Sequence, residues 1–504
     1  MPAKVFSGAT IGLEGVLVEI EADVLTKGLH QFSVVGLPDA AVKEARDRVS
    51  AAIKNTDFRP PHMSGRVTIN LAPADLPKSS STYDLGMALA FLSATKQIGF
   101  QPEKRFFLGE LALDGRLRRV NGVLPLVLFA QRAGFTEIFV PKENAREAAL
   151  VPGVTIFAGE KLRDLTEHLE GRKLLSPEGA TQLEPSLRQL SGDMAQVKGQ
   201  EHVKRALEIA AAGGHNILMI GPPGSGKTLL AKTLPSILPQ LSFEECLEIT
   251  QIFSIAGQLP RTQALVADRP FRSPHHSASA ISLIGGGTIP KPGEISLAHR
   301  GVLFLDEFAE FPRFALESLR QPLEDGIVVV SRAKGTLTFP ARFMLVAAMN
   351  PCPCGHFGDS ERVCGCSPYS REKYRQKVSG PILDRIDLHI EVPRLKFDVL
   401  QDRRPGETSA RIRERVEAAR QIQRQRLAHT PHLTNADLDT KLLETHCVLD
   451  AASQDTLREA VSFYKLSPRA YTRILKVART IADLAGAEHI TEDHISEALH
   501  YRLR

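Results

Sequence analysis

The sequence predicts a multidomain α/β protein. Three observations carry this expectation. A glycine-rich loop joins an apolar strand to a helix between residues 216 and 234. Strands and helices alternate from 193 to 394, the pattern of a parallel sheet. The length, 504 residues, corresponds to about three domains at roughly 150 residues each.

The composition restricts the class further. Hydrophobic residues make up 43% and charged residues 24%, ordinary values for a soluble globular chain. No apolar run approaches the roughly 18 residues of a membrane helix, and Gly122–Ala130 is interrupted by Pro125. The first residues, MPAKVFSGATIG, lack the charged-then-apolar profile of an export signal. A cytoplasmic protein without a membrane partner is expected. The net charge of +5 permits a nucleic-acid partner without arguing for one.

Residues 1–170 read as an α/β domain. Val16–Ile20, Gln31–Val35, Arg66–Ile69 and Glu137–Val140 are expected strands. Asp39–Lys54, with Asp39 as cap, Asp84–Thr95 and Val123–Arg132 are expected helices. Residues 171–192 hold two prolines and no sustained period, and read as a linker. Residues 395–504 read as mostly helical.

Asn216–Ile220 runs into Gly221, Pro222, Pro223, Gly224, Ser225, Gly226, Lys227 and Thr228, followed by a helix from Leu229. This is the phosphate-loop pattern in its strand–loop–helix setting. Glycines let backbone N–H groups turn in around phosphate oxygens. Lys227 is placed to neutralise the β- and γ-phosphates of ATP, and Thr228 to ligate Mg2+. Roughly 80 residues on, Gly301–Glu307 is an apolar strand ending in two acids. Asp306 is expected to hold the magnesium through water and Glu307 to polarise the attacking water. Elsewhere such a strand is usually structural; its position after a phosphate loop gives it the chemical reading. Phe343–Met349 is a third buried strand, ending at Asn350, which can orient the lytic water. An asparagine there is otherwise a turn former.

Four of the six cysteines crowd into 352–366. Cys352, Cys354, Cys364 and Cys366 suit tetrahedral Zn2+, with His356 as a substitute ligand. In a chain without an export signal this pattern favours metal over disulfides. Free thiols or a redox pair are the alternatives. Four protein ligands leave no open position, so the ion is expected to be structural. Cys246 and Cys447 are expected to be buried small side chains.

Taken together, these motifs resemble an AAA+ ATPase. Phe271-Arg-Ser-Pro-His-His276, Leu283-Ile-Gly-Gly-Gly287, Lys291-Pro-Gly-Glu-Ile295, Leu319-Arg-Gln-Pro-Leu-Glu-Asp-Gly326, Ser379-Gly-Pro-Ile-Leu-Asp-Arg-Ile-Asp-Leu388 and Ser467-Pro-Arg-Ala-Tyr-Thr-Arg473 resemble the magnesium-chelatase-like branch. Residues 66–152 resemble the proteolytic domain of Lon, through Pro77–Asp84, Gly109–Leu117 and Arg132–Asn144. The whole chain is similar end to end to the YifB/ComM family. That resemblance implies a Lon-like domain at 1–170, an AAA+ core at 193–394 and a helical lid at 395–504. It also implies a homo-oligomeric, hexameric ring that migrates DNA branches in homologous recombination during natural transformation. Arg385 matches the arginine finger presented to a neighbouring subunit, and Arg469 the second sensor, a role Arg473 could share. An arginine acting in trans is worth about 10³–10⁵ in rate. The plainer reading of Arg385 is an ion pair with Asp384 or Asp387.

Two insertions mark this branch. Ser282–Ile295 is glycine-rich, and Ile327–Phe339 reads as a hairpin with its turn at Ala333–Gly335. Arg332 and Lys334 near its tip are candidates for phosphate contacts with DNA in a pore; a charged tip is equally usual on a plain surface hairpin. Arg411, Arg413, Arg415, Arg420, Arg424 and Arg426 decorate an expected helix and read first as a solvated face with i,i+4 pairs, second as a DNA contact.

Lon needs a serine activated by a lysine. Thr82, or Ser81 after a one-residue slip, takes the serine position. The lysine position falls at Leu124, and no lysine lies between Lys104 and Lys142. A hydroxyl without a base is a poor nucleophile, so the domain reads as a protease fold used for contacts. The leading expectation is a DNA motor. The alternatives are a chelatase-type protein-remodelling chaperone and, more remotely, an ATP-dependent protease.

Overall fold

The computed structural model describes residues 2–26, 30–36, 40–74, 81–181, 192–287, 290–332, 335–359, 361–395, 399, 401 and 406–502. Asp39 and Lys334 lie outside them, and so does the side chain of Arg332. The cap on the first helix and the hairpin-tip contacts therefore remain sequence expectations.

The N-terminal part opens with an antiparallel pair, Ala3–Ile11 and Glu14–Leu25, in register Ala3 to Ala22. Val18, Ile20 and Ala22 are buried and alternate with Glu19, Glu21 and Asp23, the period of a strand with one face in the core. Arg66–Ala72 joins antiparallel and Gln31–Val35 parallel to it, giving a four-stranded sheet. The helix Asp84–Ala94 is buried over nearly its whole length beneath this sheet. Ala3–Ile11 escaped the sequence reading because Ser7 and Gly8 interrupt its apolar alternation. Gly8 is there for space: a Cβ would lie 2.7 Å from Phe106 Cζ. A second, parallel sheet holds Arg105–Phe107, Glu137–Pro141 and Thr155–Gly159.

Residues 171–181 are not a free tether. Glu178 N–H donates to Ile156 O at 2.8 Å, and Thr181 N–H to Ala149 O at 3.2 Å. The segment is laid along the second sheet before the chain crosses to the next unit.

That unit is built on a five-stranded, fully parallel sheet. Its order is Phe271–Arg272, Val302–Leu305, Met344–Met349, Ile217–Ile220, Leu388–Glu391. Met344–Met349 is buried at every position, as expected where helices cover both faces. In such sheets ligands bind beyond the carboxyl ends of the strands. The central strands deliver Gly221, Asp306 and Asn350 to that one edge. The expected hairpin is present as Ile327–Arg332 paired with Gly335–Pro340. The glycine-rich insertion folds into the short helix Ala280–Ile284 and a two-residue ladder, Gly285–Gly286 against Lys291–Pro292. Gly285 has φ +101, and a Cβ there would meet Lys291 O at 2.2 Å, so this turn tolerates no side chain.

Beyond 406 the described chain is helical. Ile412, Val416, Ile474 and Ile481 share one core with Leu207 and Val346 of the five-stranded sheet unit. The arginine-rich helix, Ser409–Arg426, is solvated at Arg411, Arg415 and Arg424, while Arg413, Arg420 and Arg426 are partly buried. Arg415 pairs with Glu208 and Glu407, both at 2.5 Å. Arg420 donates to Ala211 O at 3.0 Å, and Arg426 pairs with Asp483 at 2.5 Å. These arginines hold the helix to the helix Glu201–Gly213 and to the C-terminal helices.

The N-terminal part grips the sheet unit through the helix Phe243–Ala256. Glu147 is buried and accepts from Leu124 N–H at 3.1 Å, from Asn144 Nδ2 at 3.1 Å and from the Ser254 hydroxyl of that helix. Gly122 N–H donates to Ser254 Oγ at 3.0 Å. Burial raises the Glu147 pKa, against the lowering by its donors. A carboxyl that binds its proton more tightly folded than unfolded loses stability as pH rises through that window. This junction is therefore expected to strengthen on acidification toward pH 4.5, the ordinary value. Glu147→Ala strands three buried donors and is expected to cost on the order of 3 kcal/mol, read from urea unfolding.

Candidate active site and metal centre

The phosphate loop is fixed at both shoulders. Gly221 N–H donates to Met349 O at 3.2 Å, and Val392 N–H to Ile220 O at 2.7 Å. A Cβ on Gly221 would lie 2.1 Å from Val392 O. Gly224 and Gly226 have φ of 78° and 89°, the left-handed conformation that turns successive amides toward one centre. Ser225 and Lys227 are buried in the loop, while Pro223, Gly224, Gly226, Thr228 and Leu229 form its open rim. Gln200, which belongs to no motif, ties the loop down from outside. Its amide donates to Ser225 O at 2.9 Å and Pro393 O at 3.1 Å.

Lys227 Nζ donates to Gly221 O at 2.7 Å and Pro222 O at 2.9 Å, with Asn350 Oδ1 at 3.5 Å. Burial lowers its pKa and Asp306 opposes this. Among the described residues no carboxylate pairs with it, so an ammonium buried in the loop has room for an anionic partner. The Thr228 hydroxyl donates to Asp306 Oδ2 at 2.7 Å. Two oxygens this close match neighbouring positions around a hard octahedral cation, whose ligands sit at about 2.1 Å. The donor set fits a nucleotide triphosphate and Mg2+.

Glu307 follows directly, and its N–H donates to Asp306 Oδ1 at 3.0 Å. It has φ 52°, a left-handed conformation uncommon for a non-glycine residue. Its carboxylate meets His276 Nδ1 at 2.8 Å. His276 lies beyond Phe271–Arg272, the strand beside Val302–Leu305. The imidazole occupies an acceptor oxygen that a water would need for activation. His276→Ala is expected to raise ATP turnover in the absence of other ligands by about tenfold. That corresponds to removal of one charge-assisted hydrogen bond of about 1.5 kcal/mol; steady-state phosphate release reads it.

Arg385 and Arg469 are not brought to this edge. They line a cleft of about 560 Å³ with Arg473, Glu324 and Asn216. Asn216 and Met344, also in its wall, mark the amino ends of the strands whose carboxyl ends carry the phosphate loop. One four-residue strand, about 13 Å, separates the two edges. Arg385 donates to Pro381 O at 2.7 Å and pairs with Glu324, rather than with Asp384 or Asp387. Its buried Nε has no partner among the described residues. Arg385 holds the Glu324 carboxyl below its usual range, with smaller help from Arg469. Arg473 is committed to Ile386 O at 3.1 Å and Asp387 at 3.5 Å.

The four cysteine sulfurs all lie within 4.8 Å of one another. Cys352 is 3.4 Å from Cys354 and 3.7 Å from Cys364, and Cys354 is 3.6 Å from Cys364. A tetrahedral ion with Zn–S of about 2.3 Å places sulfurs about 3.8 Å apart, so the donor set fits zinc. The four thiols share protons: the His356 backbone N–H and the Cys352 thiol pull Cys354 down, while burial and the neighbouring thiols push Cys364 and Cys366 up. His356 itself is turned to Asp359 at 3.1 Å. Cys246 and Cys447 are free and buried.

In the N-terminal part Ser81 donates to Glu110, a partner the sequence did not reveal. Thr82 is buried, and Leu124, at the lysine position, is fully buried in the helix Val123–Arg132. A carboxylate is a far weaker base than an amine.

Comparison with known proteins agrees with the order of these parts. The family model described as Magnesium chelatase, subunit ChlI, matches residues 193–400, and its C-terminal companion matches 406–502. A model described as Subunit ChlI of Mg-chelatase matches 20–144. The chain is 47% identical to Competence protein ComM of Haemophilus influenzae, over 99% of this chain and 97% of that one. The chain belongs to the YifB/ComM family of magnesium-chelatase-like AAA+ proteins. It is 44% identical to the Uncharacterized protein YifB of Escherichia coli, over 99% and 96% of the two chains. A stretch covering 27% of this chain is 30% identical to 18% of a Lon protease of Clostridioides difficile. Membership in this AAA+ family implies an ATPase using ATP and Mg2+. No helix among the described residues is long and apolar enough to cross a membrane.

Proposed function

We propose that this YifB/ComM protein is an ATP-driven, ring-forming DNA motor, a branch-migration helicase serving homologous recombination in natural transformation. One observation carries the ring. The phosphate loop, Asp306 and Glu307 stand at one edge of the sheet, and Arg385 and Arg469 at the other. Within one protomer the two groups stand apart, which supports a reading in which a neighbour supplies the arginines. Heterologous head-to-tail contacts of this kind give a ring where the rotation closes and a filament where it does not; the family resemblance favours a ring of six. The DNA substrate is supported by the full-length similarity to a protein named for competence and by the hairpin Ile327–Pro340.

In this reading Lys227 and the loop amides bind the β- and γ-phosphates, and Thr228 and Asp306 hold Mg2+. The ion supplies charge neutralisation at the transferred phosphoryl group. Glu307, released from His276, accepts a proton from the attacking water, and Asn350 orients that water. Arg385 and Arg469 of the neighbour stabilise the charge that develops on the phosphoryl oxygens. Arg332 and Lys334 carry the motion to DNA phosphates. The cysteine loop holds structural zinc. The segment 1–170, a Lon-like fold without its dyad, serves contacts, and 395–504 acts as the lid.

The test is ATP hydrolysis by the purified chain with no DNA, single strand, duplex and a four-way junction, with Glu307→Gln as control. Stimulation greatest with the junction and weakened by salt is expected. A rate indifferent to every DNA would overturn the DNA reading in favour of a protein-remodelling motor.

A further inference from the structure

The thiolate cluster and the nucleotide site touch. Asn350 ends the strand Met344–Met349, and Cys352 follows two residues on. Gly355 closes a turn onto Cys352 O at 3.0 Å. It has φ +81, and a Cβ there would lie 2.8 Å from Pro223 Cδ and 3.8 Å from Asn350 Cγ. The turn that carries the second thiol therefore rests on the wall of the phosphate loop on one side and on Asn350 on the other. Tyr374 is buried in the same core as Met349, the residue before Asn350. Its helix, Pro368–Arg375, begins two residues after Cys366.

The far side of the loop is anchored as well. Asp359 accepts from His356 Nδ1 and from Arg394, both at 3.1 Å. Arg394 lies just past Val392, whose N–H holds the phosphate-loop strand at Ile220. The loop thus spans the strand ends that frame the nucleotide. Yet it has almost no core of its own. Cys352 is buried, but Cys354 is exposed and Val363 is 97% exposed. A segment this poor in apolar contacts does not hold a fixed shape by burial; metal binding supplies that energy instead.

We propose that one soft divalent ion of the zinc class, bound by Cys352, Cys354, Cys364 and Cys366, is a positioning element of the ATP site. It fixes the turn at Gly355 against Pro223 and Asn350, and its loss loosens the phosphate loop and Asn350 together while the buried sheet stays folded. The inference rests on the ATPase reading and adds a metal dependence that magnesium does not account for.

The experiment uses the full chain in a Cys246→Ala, Cys447→Ala background, so that only the four cluster thiols react. Metal content is read by elemental mass spectrometry. An organomercurial then titrates the thiols while a chromogenic chelator reports release of the ion. Affinity for a fluorescent ATP analogue and circular dichroism are measured before and after, and again after a thiol reductant and zinc are restored. The expected result is about one ion per chain, released in step with thiol modification. Nucleotide affinity should fall about tenfold or more and turnover about 100-fold, the scale set by small misplacements in a catalytic site. Zinc should restore both. Gly355→Ala keeps all four thiols but drives a methyl into Pro223; it should retain the ion and the fold and still bind nucleotide more weakly.

A chain purified without a stoichiometric ion overturns the proposal. So does loss of the ion with unchanged nucleotide affinity, which leaves the ATPase reading intact. If metal removal unfolds the sheet, Gly355→Ala decides: unchanged affinity in that variant overturns the coupling. A zinc-loaded chain that binds no nucleotide defeats the ATPase reading itself, a failure distinct from any result on metal content.

Discussion

Replacing Glu307 with Gln is expected to lower ATP turnover by about 10²–10⁴, the usual contribution of a positioned general base, while nucleotide binding stays close to that of the unchanged chain. The geometry separates the two effects. In the proposed site, binding is assigned to Lys227, inside the loop, and to Thr228 and Asp306, which are 2.7 Å apart. Glu307 takes part in neither. Glutamine keeps an oxygen that can accept from His276 at the 2.8 Å position but cannot take a proton from water. The readouts are phosphate release under steady state and affinity for a fluorescent ATP analogue in the same preparation. Equal losses in both would place Glu307 in nucleotide binding and sink its assignment as base. Lys227→Ala should show the opposite balance, with binding lost first, because a buried ammonium facing the phosphates acts before the chemistry begins.

The contrast between Glu307 and His276 shows what the sequence could and could not disclose. The placement of Asp306 and Glu307 was legible because an apolar strand ending in two acids, Val302–Leu305 and the pair after it, follows a phosphate loop at a set distance. The His276–Glu307 contact depends on Phe271–Arg272 lying beside Val302–Leu305, and neighbour relations among parallel strands are not written in the order of the strands. Gln200 was invisible for the same reason: its amide acts on carbonyls at Ser225 and Pro393, far apart in the chain. The convergence of the cysteines was legible as a cluster, since four thiols fall within 15 positions and their sulfurs meet within 4.8 Å. Its contact with Pro223 was not, because it turns on one missing Cβ. The arginine helix was legible in part: Arg411, Arg415 and Arg424 are exposed as a solvated face requires. Periodic charge looks solvated when only one helix is seen. Arg415, Arg420 and Arg426 also meet Glu208, Ala211 O and Asp483 once other helices are packed around them. Strands with clean alternation, such as Gln31–Val35, were read with their correct ends, whereas Ala3–Ile11 was lost to its serine and glycine.

Mixing two inactive chains is expected to restore activity that neither has alone. Arg385→Ala removes the arginine from every interface, for an expected loss of about 10³–10⁵ in turnover. Lys227→Ala removes the phosphate loop's cation. In a ring assembled from equal parts of both, about one interface in four joins an intact phosphate loop to an intact Arg385 across the heterologous contact. Turnover should recover toward about that fraction, and should depend on the mixing ratio as a product of the two concentrations. The reason lies within one protomer. Asn216 and Arg385 share a cleft at the amino ends of the strands, while Ile220 leads into the loop at their carboxyl ends. Arg385 also starts from a poised state. Glu324 holds one terminal nitrogen and Pro381 O the other, and its Nε is buried without a partner among the described residues. A neighbour's phosphate entering this cleft meets a guanidinium with hydrogen-bonding capacity to spare. Absence of any recovery, with assembly of the mixed ring shown by sedimentation, would mean that Arg385 acts inside its own subunit. The path to the phosphate would then require the strand ends to rearrange, and the ring would no longer be needed to explain catalysis.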